Sequence, residues 1–279
     1  QSRVDRLIGS QYIDKTNLVL LPGLGANYQI GNFNVFGGIH RGYTPPSSGA
    51  VKIASVRDNV EDGGLDVKSE KSWNKELGIR SGSPFYKAEV TGFHLAIEDL
   101  VAAGVGTAFK NVGKVNTYGL EVSGKLAASQ KIGWSPDFHL SYTWLQTEIK
   151  QGEIRSALKA GATVDVSGNE LPYAPEHSLI AGMSKDFDFG LSVRLDYRFV
   201  DKVYTDYENI EFGNPAVNYN RGDTGPVPSY FILNGSATYQ FNPDWEVQLT
   251  GKNLTDEIYI GSRLHSNPRQ RSADLSTGI

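Results

Sequence analysis

Between Ser229 and Tyr259 the side chains alternate with a period of two on both sides of a turn. Phe231, Leu233, Gly235, Ala237, Tyr239 and Phe241 fall on one side of an extended chain, and Ile232, Asn234, Ser236, Thr238 and Gln240 on the other. Asn242-Pro243-Asp244 reverses the chain, and Trp245, Val247 and Leu249 then alternate with Glu246, Gln248, Thr250 and Lys252. Successive strand side chains project to opposite faces, so this stretch is a hairpin with one apolar and one polar face. Such a ribbon has two destinations. In a sandwich the apolar face meets a second sheet. In a transmembrane barrel it meets lipid, and the polar face lines a wet lumen.

The same pattern recurs along the chain. Residues 1–16 read as the end of a polar loop, and Leu18 to Ile30 as a strand bent at Gly23 and Gly25. After the Gly31-Asn32 turn, Phe33, Val35 and Ile39 alternate with Asn34, Gly38 and His40 until Thr44-Pro45-Pro46-Ser47, where proline cannot donate to a ladder. A polar loop to Ser69 precedes Trp73–Arg80. Phe85–Leu100 follows, with its phase slipping near Gly92, then Phe109–Ala127 and a strand carrying Phe138, Leu140, Tyr142 and Trp144. His177–Asp186 and Phe189–Tyr204 form the next pair. In the latter, Leu191, Val193, Leu195, Tyr197 and Phe199 oppose Ser192, Arg194, Asp196 and Arg198.

Two regularities favour the barrel. The strands run for about 10–16 residues, against a usual five or six in globular sheets. Connections also alternate. Short turns follow Ile30, Arg80, Ala127, Asp186 and Phe241, and longer loops such as 150–176 and 206–228 separate most other pairs. Short turns on one rim and long loops on the other mark an outer-membrane barrel, whose half-polar strands escape any search for an apolar run of about 18 residues. The fold class expected is therefore all-β, an antiparallel transmembrane β-barrel, with about ten strands present.

Composition narrows the function. The net charge of -4 carries no nucleic-acid footprint, and the absence of cysteine excludes disulfides and thiolate chemistry. No nucleophile elbow, phosphate loop or HExxH spacing occurs, so no catalytic residue, resident cofactor or metal site is expected. The chain opens at Gln1 with neither a start methionine nor a leader, as a piece of something longer would.

Several stretches in order resemble the barrel of TonB-dependent outer-membrane receptors, especially ferric-dicitrate and siderophore types. They are Leu21–Tyr28, Val35–Pro46, Lys71–Arg80, Asn111-Val112-Gly113, Tyr118-Gly119-Leu120-Glu121, and Lys252–Tyr259. The resemblance implies that residues 1–279 are a C-terminal segment of a barrel of about 22 strands. The family's N-terminal plug with its TonB box, the first barrel half and the final strand are then expected outside these residues. It further implies outer-membrane localisation in a Gram-negative cell, contact with lipid, a TonB-like energising partner reached through the plug, and import of a ferric siderophore or citrate complex as cargo. Two other readings stay open from the residues alone: a passive porin-type channel, and a soluble β-sandwich or adhesin module without transport.

Arginine forks suit anionic chelates and aromatic rings suit planar ones. The substrate-binding candidates near the outer rim are therefore Arg41, Arg57, Arg155, Arg221, Arg263 and His265, with Tyr204, Tyr207 and Tyr219. Tyr43 is expected at the headgroup level, and Asn253 to Tyr259 as a strand reaching the opposite rim. Lumen-facing positions are His40, Glu121, His139, Arg194, Asp196 and Arg198, the last three forming an inward charged ladder.

Overall fold

The computed structural model describes residues 2–8, 11–45, 67–103, 109–156, 162–211, 225–263 and 273–274. Arg57, Tyr219, Arg221 and His265 lie outside the described residues, as does the side chain of Arg155. The chain forms β1 (Ser2–Ile8), β2 (Gln11–Asn17), β3 (Gly23–Ile30), β4 (Phe33–Thr44), β5 (Glu70–Gly82), β6 (Tyr86–Ala103), β7 (Phe109–Leu126) and β8 (Asp137–Arg155). Next come β9 (Thr163–Asp165), β10 (His177–Asp186), β11 (Leu191–Val200), β12 (Tyr230–Asn242), β13 (Trp245–Gly251), β14 (Ser262–Arg263) and β15 (Ala273–Asp274). One open antiparallel sheet runs β3-β4-β5-β6-β7-β8-β10-β11-β12-β13, with β9 paired to β8.

No second layer covers the apolar face of this sheet among the described residues. Leu24 is 76% exposed, Leu77 67% and Leu249 73%, and Leu191, Val193, Leu195 and Leu233 are only half-buried. A soluble sandwich would seal these side chains away from water; here they form an outward belt for hydrocarbon. Aromatic rings mark its edges. Tyr118 and Trp144 meet edge to face at 6.0 Å toward the long-loop rim. Phe187 with Phe189, and Tyr239 with Phe241, occupy the short-turn rim. Amphipathic rings at both interfaces are what a membrane barrel requires.

Hydrogen-bonded rungs cross the strands obliquely. One runs Gln29–Asn34–Arg80–Glu89–Ser123–Ser141–Ile180–Arg198–Ile232. It starts beside the Gly31 turn on β3 and finishes two residues from the opposite end of β12. That stagger is the shear that tilts strands in a barrel wall.

The buried apolar core lies on the long extensions of β6, β7 and β8 beyond the belt. Ala102, Val112, Val115, Ile149, Ile154 and Val166 pack there, with Leu171 and Tyr207 against them; Ile149 is fully buried. Burying each Val or Ile contributes about 1.5–3 kcal/mol. A cap of loop segments is thus held on the outer rim by a core of its own.

Four expectations need correction. Residues 2–17 are a hairpin, Ser2↔Asn17 to Ile8↔Gln11, instead of a loop end, and the next strand begins at Gly23, not Leu18. The β5–β6 ladder is unbroken from Lys71↔Glu98 to Gly82↔Lys87, so no slip occurs at Gly92. The sequence phase changes because Phe93, Leu95 and Ile97 face inward, where the Phe93 ring covers Gly119 of β7; the irregularity falls higher, between Ile97 and Leu100, with Asp99 left-handed at φ 58°. β11 ends at Val200, leaving Tyr204 in a loop. Last, β13 ends at Gly251, and Asn253 and Asp256 both take φ 51°. The Asn253 carboxamide accepts from Glu257 N and donates to Glu257 O, each at 3.0 Å. This closes a turn before Tyr259 reaches the rim, because a short amide side chain can replace the ladder bonds that a left-handed residue forfeits.

Candidate functional site

His40, Glu121, His139, Arg194, Asp196 and Arg198 all lie on the face opposite the belt. His40 Nε2 is 3.2 Å from Asn74 Nδ2, and Glu121 stands between Thr91 and Thr143. His139, Gly182 and Asp196 occupy one rung on β8, β10 and β11. The His139 Nε2–Asp196 Oδ1 distance is 3.0 Å, so the imidazole bridges across the glycine. A Cβ on Gly182 would stand 2.3 Å from His139 Cε1, so the contact exists only because that position has no side chain. Arg194 grips the same carboxylate with a two-pronged fork, Nε to Oδ2 at 2.7 Å and Nη2 to Oδ1 at 2.9 Å. Two-pronged charge-assisted pairs are the directional kind.

Beside this group the inner face hollows into a recess of about 660 Å³ lined by Asn34, Arg80, Lys87, Glu89, Lys125 and His139. Arg80 is held by Asn34 Oδ1 at 3.1 Å and lies over the Phe36 ring at 5.2 Å. Lys87 and Lys125 stand directly opposite each other on β6 and β7. Like charges in that relation destabilise a sheet, so the recess favours an anionic visitor or an acidic neighbour. Sequence reading passed over Arg80, Lys87 and Lys125. Their alternation with apolar neighbours was visible, but the cross-strand register that gathers them was not.

The outer cap forms a second cluster. Tyr204 donates to Glu211 through its hydroxyl, while Lys202 Nζ lies 3.0 Å from Glu211 Oε1 and 4.6 Å from the Tyr204 ring centroid. Glu211 is held below the ordinary carboxylate range, first by the Tyr204 hydroxyl and then by Lys202. Tyr204 is raised by the same carboxylate, and so is Lys202. Tyr207 is packed on the cap core, where burial raises its pKa, and its carbonyl accepts from Asn169 Nδ2 at 2.9 Å. Arg263 is buried. Its amide donates to Tyr173 Oη at 3.0 Å, Tyr173 donates back to its carbonyl, and its Nε donates to Pro226 O at 3.4 Å. Arg155 ends β8, paired to Thr163. Arg41 is separated from all of these. It alternates with His40 and so projects outward, opposite Trp73. Among the described residues no three His, Cys, Asp or Glu side chains are grouped to hold a metal ion.

The family profile described as TonB dependent receptor-like, beta-barrel, matches residues 2–254. The ferrienterobactin receptor of Escherichia coli is 27% identical over an alignment of 279 residues, covering 91% of this chain and 34% of that protein. A probable TonB-dependent receptor of Bordetella pertussis, BfrD, is 26% identical over 255 residues, covering 86% of this chain and 31% of that protein. Among solved structures, the unliganded ferric citrate transporter FecA superposes with a TM-score of 0.70 at 19% identity, over 95% of this chain and 36% of that one. The chain thus spans about a third of the relatives it matches. Its open sheet, outward apolar belt and charged inner face are those of a barrel wall. The chain belongs to the TonB-dependent receptor β-barrel family of outer-membrane proteins.

Proposed function

We propose that residues 1–279 are the C-terminal part of the barrel of a receptor that imports a ferric chelate, a siderophore or citrate complex, with no covalent chemistry. The observation that carries this reading is the inward cationic recess of Arg80, Lys87 and Lys125, set in a wall whose relatives include a ferrienterobactin receptor. An anionic chelate captured at the outer cap beside Tyr204 would pass along this face. An acidic surface of an N-terminal plug would neutralise the facing Lys87 and Lys125 at rest, and a TonB-like protein would supply the energy through that plug. The iron complex is cargo, and no resident cofactor is part of the proposal.

The test uses the full-length receptor in a strain lacking it. Growth and radiolabelled iron uptake are measured on citrate, catecholate and hydroxamate complexes, with wild type and with K87Q/K125Q. Restored uptake of at least one complex that depends on TonB, weakened in the double variant, is the expected result. Wild type that restores none, or uptake that persists without TonB, would overturn the reading.

A further inference from the structure

On the inner face one rung carries bases on three successive strands. Lys87 of β6 is opposite Lys125 of β7, and Lys125 is opposite His139 of β8. Gly182 of β10 and Asp196 of β11 complete the rung. Neighbouring strands lie about 4.8 Å apart, so Lys125 has a base on each side at close range. All three line the recess beside Arg80 and also a second hollow of about 410 Å³ toward the short-turn rim, whose wall includes Asp137, Ser184 and Arg194. The carboxylates around them are committed elsewhere. Glu89 stands opposite Arg80 of β5. Asp137, two residues below His139 on the same strand, accepts from Ser129 N at 2.9 Å. Asp196 is gripped by Arg194 and shared with His139. Glu121 lies four residues further up β7 between Thr91 and Thr143, and β10 offers this side only Gly182 and Ser184. Among the described residues no carboxylate forms an ion pair with Lys87 or Lys125.

Imidazole is the side chain that changes charge between about pH 5 and 8, so His139 is placed to add a third positive charge to this rung as pH falls. Its Nε2 is turned to Asp196, so the added proton goes to Nδ1, which thereby becomes a donor. Two ammonium groups beside an imidazolium suit an oxyanion of more than one charge, whose oxygens can accept from all three. Linkage makes the two events reciprocal: an anion in the trough favours the imidazolium, and the imidazolium favours the anion. We propose that Lys87, Lys125 and His139 form a proton-linked site for a multiply charged oxyanion, which enters together with a proton on His139. The site holds its guest more tightly on the acid side of neutral and releases it as pH rises. This rests on the reading of the inner face as a path for anionic cargo, and it adds the condition under which such cargo is held.

The test uses the full-length receptor in detergent, without iron. Benzenetrisulfonate, whose own charge stays fixed over this range, is titrated by calorimetry at about pH 5.5 and about pH 7.5, in pairs of buffers that differ in ionisation enthalpy. Wild type should bind about tenfold more tightly at the lower pH, with a net uptake of protons. H139Q should bind equally at the two pH values and take up no proton, and K87Q/K125Q should lose most of the binding at both. Proton uptake by the wild type is read without any variant, so it decides the matter if H139Q folds poorly. No binding by the wild type, an affinity independent of pH, a pH dependence kept in H139Q, or full binding in K87Q/K125Q would overturn the proposal. None of these readouts involves iron or TonB, so a failure here leaves ferric uptake free to succeed, and failed uptake leaves this binding free to be found.

Discussion

Asp196 has two partners, one from its own charged ladder and one from a strand distant in sequence. Arg194 lies two residues away on the same face, and His139 arrives from β8 over Gly182. Gly182→Ala should displace the imidazole and break the His139–Asp196 contact, leaving the Arg194 fork intact. Nitrogen-15 spectra of His139 would show a solvent-like ring in the variant; an unchanged resonance would mean the ring has another route to the carboxylate. Because Arg194 is more than half exposed, a double-mutant cycle with Asp196 should give only about 0.5–1 kcal/mol. The Lys202–Tyr204–Glu211 group makes a pH prediction. Glu211 is depressed, so its contribution is present above the ordinary carboxylate pKa of about 4.3 and fades as pH falls through its lower folded value. Lys202 and Tyr204 are raised, so theirs is present below about pH 10 and fades as pH rises through their folded values. Protection of the amides of residues 201–211, taken as exchange relative to the intrinsic rate at each pH, should therefore be greatest at intermediate pH and fall at both extremes, and more weakly so in Glu211→Gln.

At the scale of the strand, adjacent residues have opposite fates. Val122 faces the belt between Val90 and Tyr142, while Ser123 faces the lumen between Glu89 and Ser141. Val122→Lys should cost about 2–4 kcal/mol in a bilayer, and Ser123→Lys close to nothing. Reversible unfolding of the full-length barrel into urea from lipid vesicles reads the difference; equal costs would mean the two faces are misassigned. The alternation that sets these fates was plain in the sequence, and so were most turns. The errors fall where a local rule was overridden. Phe93, Leu95 and Ile97 read as a phase slip because inward residues were expected to be polar, yet their strand runs on beneath a cap. Asn253 and Asp256 read as strand because left-handed φ leaves no mark on hydropathy.

For the molecule as a whole, the cap on β6–β8 should be a separable unit of stability. Ile149→Ala empties its most buried position and should cost about 2–5 kcal/mol locally. Exchange in 163–176 and 201–211 should quicken while heat-modifiable migration of the full-length barrel on gels stays unchanged. Lost barrel migration would mean that cap and wall fold as one.

The all-β class, the two-faced wall, the sorting of loops by rim and the family are legible in the residues alone, because each follows from a period of two or from a local motif. His40, Glu121, His139, Arg194, Asp196 and Arg198 share one face of the sheet, since face follows from parity along each strand. Who meets whom comes from the folded sheet. Register set Lys87 against Lys125, drew His139 over Gly182, turned Arg41 outward to Trp73 and buried Arg263 under Tyr173. Those outcomes depend on the stagger between strands and on loops folding back over the rim, relations between distant residues that no single stretch of chain encodes.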